Sequence, residues 1–193
     1  MTREELEHVI RASADITGQY EFIVIGSQSI LGAVPNPAAV FTMSAEADIY
    51  PLRAPELADK IDGAIGEGSQ FHETYGYYAQ GVGPDTAILP AGWLQRVHRV
   101  QNVNTNDRVG YCLSVADLFM SKAAAGRDKD REFCMALLEH AYVNPDKALE
   151  LVPDMPMVDS EKRRLRATIR RWAKTLRDAG HAIPNSSGVK FPE

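Results

Sequence analysis

The chain has 193 residues, a net charge of −5 and 45% apolar side chains, which suits one globular core or a core with a helical extension and excludes disordered and fibrous classes. Its two cysteines, Cys112 and Cys134, lie far apart and outside any C-x-x-C pattern, so reduced core thiols are expected rather than a disulfide framework. No apolar run reaches the length of a membrane span, and the charged opening Met-Thr-Arg-Glu-Glu lacks the apolar segment of a secretory leader, so a cytoplasmic protein is expected.

Residues 3–16 carry Leu6, Val9, Ile10 and Ala14 at helical spacing and predict an amphipathic helix. Tyr20–Ile25 is apolar, β-branched and bounded by Gly18 and Gly26, which reads as a buried strand. A Gly26-Ser27 turn then opens a short helix over Gln28–Leu31, and the two prolines within 32–43 predict a loop. Glu46–Tyr50 is a second strand stopped by Pro51. Pro55 starts a helix that runs to about Ile65, and Gly66–Gly68 is a turn.

Tyr75–Gln80 and Asp85–Leu89, joined across Gly81–Pro84, read as a hairpin. Arg96–Val103 is a further strand, and 104–107 a turn before Arg108–Cys112. From Ser114 the period becomes helical. Ser114 and Asp117 have capping-box spacing for a helix to Ala125, and Asp128 is expected to cap the next one. A short helix over 145–151 and a long one over about 160–179 complete the pattern. The fold class is therefore α+β: a mixed sheet flanked by helices over 1–113, a helical region over 114–180 packed on it, and a tail over 181–193.

Charge is unevenly placed. Residues 161–178 hold eight basic and two acidic side chains, against 12 basic and 23 acidic in residues 1–160. Such a helix is either a solvated face or a tract for nucleic-acid phosphates.

Chemistry concentrates in a few segments. Glu46 and Asp48 stand at i and i+2 of a strand and so share one face. Paired carboxylate oxygens suit a hard cation such as Mg²⁺. Gly26, Ser27 and Ser29 form a turn whose N–H and hydroxyl groups suit phosphate. Asp85 leads into the Asp85–Leu89 run and is a candidate third carboxylate. Lys122, Arg127, Asp128, Lys129 and Asp130 cluster where two helices join, with Lys122 and Arg127 able to neutralise triphosphate charge. Trp93 and Trp172 read as packing residues, and the five histidines show no ligand spacing.

An apolar residue, Gly, Gly or Ser, a spacer and [DE]-x-[DE] resembles the signature of the nucleotidyltransferase superfamily with the polymerase-beta-like fold. Lys122-Ala-Ala-Ala-Gly-Arg127-Asp128-Lys129-Asp130 further resembles a later motif of its AbiEii-type toxin and DUF6036 branch. The resemblance covers roughly residues 20–140. It implies that Gly26, Ser27 and Ser29 hold the phosphates of a nucleoside triphosphate and that Glu46, Asp48 and Asp85 hold Mg²⁺ or Mn²⁺. It implies that Lys122 and Asp130 organise the site and that Arg127 meets the nucleotide. The implied activity is transfer of a nucleoside monophosphate to a hydroxyl of tRNA, through the basic helix, or of a protein, with a cognate antitoxin as a further partner. The 18 residues between Ser27 and Glu46 exceed the usual spacer, and Thr42-Met43-Ser44 replaces the usual Arg-Ser or Arg-Thr. Those departures keep a second reading open: a nucleotidyltransferase fold that binds a nucleotide or partner without chemistry.

Overall fold

The computed structural model describes residues 1–183, so the expected tail is seen only over 181–183 and its remainder lies outside the described residues. Five strands form one mixed sheet: β1 (Glu21–Ile25), β2 (Glu46–Pro51), β3 (Tyr78–Gly81), β4 (His98–Val100) and β5 (Val109–Cys112), in the order β3-β2-β1-β5-β4. The pairs β1–β2 and β4–β5 are antiparallel, whereas β1–β5 and β2–β3 are parallel. Eight helices accompany them among the described residues: α1 (Arg3–Thr17), α2 (Ile30–Ala33), α3 (Ala58–Ile65), α4 (Gln70–Tyr75), α5 (Val115–Ala125), α6 (Asp128–Glu139), α7 (Pro145–Leu151) and α8 (Asp159–Asp178). The α+β class is therefore observed, with a helical C-terminal region.

Two compact units divide the chain. The sheet unit comprises Met1–Ala87 and Leu94–Ser114, and the helical unit comprises Ile88–Trp93 and the residues from Val115 onward. The short segment 88–93 joins the helices partly because the Ala91 amide donates to the Asp154 carbonyl at 2.8 Å.

In the sheet unit, α1 begins at a capping box between Thr2 and Glu5 and ends at Gly18 in the left-handed conformation. It buries Leu6, Val9, Ile10 and Ala14, as the apolar spacing predicts. A Cβ on Gly110 would lie 2.5 Å from Ile10 Cδ1, so the missing side chain lets α1 approach β5. Glu7 is 4% exposed and fully engaged: Arg3 Nε, Asn102 Nδ2 and Asn104 Nδ2 donate to it at 2.9, 2.8 and 2.9 Å. Burial pushes its carboxyl pKa up, but these hydrogen bonds and the Arg3 charge outweigh it and hold the value below the ordinary one.

Several expectations are corrected. The hairpin of Tyr75–Gln80 with Asp85–Leu89 does not form; β3 instead pairs in parallel with β2, and Pro84–Thr86 is a 3₁₀ turn. Proline at the first turn position and glycine before it favour that turn over a strand. α4 forms just after the expected Gly66–Gly68 turn and takes in Tyr75, which was expected to begin a strand, because Ser69 accepts the His72 amide and Gly76 ends the helix. The strand expected over Arg96–Val103 contracts to His98–Val100, and Ala39–Phe41 forms a 3₁₀ turn within the expected loop. Asp128 is the first helical residue of α6 rather than its cap; Arg127 holds that position, with extended backbone.

Candidate active site

The register of β1 and β2 builds the site. Val24 lies opposite Ile49 and beside Cys112, and it reaches toward the α1 face, within 3.8 Å of where a Gly110 Cβ would stand. Ala47 and Ile49 are fully buried on that face. Alternation sends Glu46 and Asp48 to the opposite face, where both are partly exposed. Asp48 pairs with Ile25, the last residue of β1, so its carboxylate arrives where the chain leaves the sheet.

That exit is Gly26. Its φ of 66° and ψ of −168° lie in a region essentially restricted to glycine. A Cβ there would stand 1.8 Å from Asp48 Oδ2 and 2.9 Å from its Cγ. Glycine is required twice over, once by the backbone and once by the carboxylate seated against it. Ser27–Ser29 then makes a 3₁₀ turn, whose leading N–H groups have no acceptor within the turn itself. Ser27 is partly exposed there. Ser29 is fully buried, and its hydroxyl donates to the Gly26 carbonyl at 2.8 Å, so it shapes the turn from within.

Two residues without a sequence signal complete this region. Gln28 is fully buried, and its Nε2 donates to the Phe41 carbonyl at 3.2 Å, fastening the 32–43 insert to the turn. Tyr78, beside Glu46 across the β2–β3 pair, donates its hydroxyl to Glu46 Oε2 at 3.3 Å. Burial, then the charges of Glu46 and Glu67, its hydrogen bond to Glu46 and the charge of Asp48 push its pKa up to about 12. One phenol thus senses both carboxylates of the pair, as a shared face requires.

Asp85 sits exposed in the 3₁₀ turn. No group of three or more His, Cys, Asp or Glu that could share a metal exists among the described residues, so Asp85 does not complete a triad with Glu46 and Asp48. The strand expected to carry it does not form, which removes the reason for convergence.

The later motif belongs to the helical unit and forms its own knot. Asp130 is fully buried; Lys122 Nζ lies 3.1 Å from its Oδ1, and Arg127 Nε lies 2.5 Å from its Oδ2. Burial pushes the Asp130 pKa up, but the hydrogen bonds and charges of Arg127 and Lys122 prevail and hold it below the ordinary value. The Lys122 side chain is 12% exposed and its ammonium also lies 5.0 Å from the Phe133 ring centre. Arg127 remains 62% exposed. The knot joins the end of α5 to the start of α6.

Among the described residues, no helix is long and apolar enough to cross a membrane. A family model described as a nucleotidyltransferase of unknown function (DUF6036) matches residues 4–177, so the chain belongs to that family. Among curated proteins and among solved structures, none gives a significant match.

Proposed function

We propose that this member of the DUF6036 nucleotidyltransferase family transfers a nucleoside monophosphate from a nucleoside triphosphate to a hydroxyl, with Glu46 and Asp48 as ligands of Mg²⁺ or Mn²⁺. The observation that carries the reading is the seating of Asp48 against Gly26, which brings a strand carboxylate to a turn able to present N–H groups. Two carboxylates on one face fit a cation that is commonly held by one or two carboxylates together with substrate phosphates. When bound, such an ion supplies charge neutralisation for the triphosphate and its pyrophosphate leaving group.

The chain's own residues bind and orient. Gly26 lets the backbone approach a phosphate closely, and the N–H groups at Ser27 and Gln28 suit its oxygens. Tyr78 fixes the Glu46 carboxylate by its hydrogen bond. Within the helical unit Asp130 holds Arg127 by two hydrogen bonds, and a guanidinium fork is a group that suits phosphate.

The acceptor under this reading is an RNA such as tRNA, for which the basic face of α8 suits a phosphate backbone. The resemblance to AbiEii-type toxins supports a cytoplasmic role paired with an antitoxin. Incubation with each α-labelled nucleoside triphosphate, Mg²⁺ or Mn²⁺, and total RNA or lysate tests this directly. Label should enter one class of macromolecule, and Asp48→Asn should abolish incorporation with the fold unchanged. Equal labelling by that variant rejects the assignment.

One observation favours the second reading, binding without turnover: among the described residues no third His, Cys, Asp or Glu joins Glu46 and Asp48 in a group able to hold a metal. Calorimetry separates the two. Tight binding of a triphosphate in Mg²⁺ with no transfer to any acceptor supports the second reading, and absence of binding by all four triphosphates rejects both.

A further inference from the structure

The helical unit holds a groove of about 460 Å³ that shares Arg171 with the basic face of α8 but whose apolar wall no role above uses. α6 contributes Arg131 and Met135, one turn apart, and α8 contributes Thr168, Arg171, Trp172 and Thr175 at i, i+3, i+4 and i+7. The end of α5 closes it, and no carboxylate is among its lining residues.

Its two arginines differ from the paired cations of this unit. Lys122 and Arg127 pair with Asp130, Lys147 with Glu150 and Lys174 with Asp178, and Lys162 donates to the Pro153 carbonyl. The Arg131 and Arg171 side chains have no hydrogen bond or ion pair among the described residues. Two guanidinium groups lining one concavity with no carboxylate among its lining residues favour an anion there. Their planar forks match phosphate oxygens, and two threonine hydroxyls supply further donors. The remaining wall is apolar: Met135, and Trp172, which is 6% exposed and held edge-on to Phe119 at 6.3 Å. A charged rim over an apolar wall, at a volume within the range of small-molecule pockets, suits a phosphate that carries a ring.

We propose that this groove binds an organic phosphate of nucleotide size, at a site sharing no residue with the Gly26–Asp48 region. The groove needs no metal, because guanidinium groups supply the positive charge.

Fluorescence of Trp172 tests this, with Trp93→Phe as the background so that one indole reports. In EDTA, a nucleoside 5′-monophosphate should give a saturable change and bind more tightly than inorganic phosphate. Arg131→Gln with Arg171→Gln should weaken binding by about tenfold or more, the scale of lost charge-assisted hydrogen bonds. Asp48→Asn should bind like the parent. No saturable change with either probe at millimolar concentrations, unchanged binding by the arginine pair variant, or loss of binding by Asp48→Asn would each overturn the proposal. Both arginines are solvent-exposed, and circular dichroism of their variant shows whether a loss comes from unfolding.

Discussion

Gly26→Ala is the sharpest perturbation the sheet unit offers, because two independent penalties meet at one atom. The first is conformational. An L side chain at φ 66° and ψ −168° costs about 1–3 kcal/mol. The second is steric: the new methyl would lie 1.8 Å from Asp48 Oδ2, whereas ordinary contact is 3.4–4 Å. Displacing the carboxylate and the strand beneath it adds about 1–3 kcal/mol on the scale of overpacked sites. The sum, about 4 kcal/mol, corresponds to a fall in Tm of roughly 10 °C for a chain of this size. A double-mutant cycle with Asp48→Ala separates the parts. Denaturant melts of the four proteins should show that Gly26→Ala costs about 2 kcal/mol less when residue 48 is alanine, because only the backbone penalty remains. Equal costs in both backgrounds would refute the seating of Asp48 against Gly26. A variant melting within a degree of the parent would refute the backbone conformation as well.

Asp130→Ala should destabilise by about 3–5 kcal/mol, since it leaves the poorly exposed Lys122 ammonium without its carboxylate. Arg127→Ala should cost much less, because that side chain is 62% exposed and its pairing is screened by water. Glu7 and Asp130 both have folded pKa values below their ordinary 4.5 and 3.8. Their stabilisation is therefore complete above those ordinary values and lost as pH falls through the lowered folded ones, and urea midpoints from pH 7 to pH 2 should show it. A Glu7→Gln variant should have a shallower acid decline than the parent; an identical slope would count against the Arg3, Asn102 and Asn104 network. Burial pushes the thiols of Cys112 and Cys134 up to about 12, so a thiol reagent at pH 8 should find neither in the native protein and both after unfolding.

The sequence by itself determined the elements whose cause is local. Helix α1 follows from an apolar stripe with a capping box and a C-terminal glycine, and α7 from an asparagine cap before proline. The same holds for the carboxylate pair: period-two alternation placed Glu46 and Asp48 on one face of a strand, whatever the rest of the chain did. Tertiary structure decided what depends on partners distant in sequence. The Tyr75–Gln80 run looked like one arm of a hairpin, yet parallel pairing with β2 left Asp85 in an exposed turn, because strand partners are chosen by the whole sheet. Ser29 reads as a phosphate donor in a short motif, but burial turned its hydroxyl onto the Gly26 carbonyl. Gln28 and Tyr78 carried no signal, since their partners, the Phe41 carbonyl and Glu46, lie 13 and 32 residues away. Local spacing fixes which way a side chain points from its own backbone; only the assembled chain fixes what waits there, because contacts are set by the packing of segments that the sequence keeps apart.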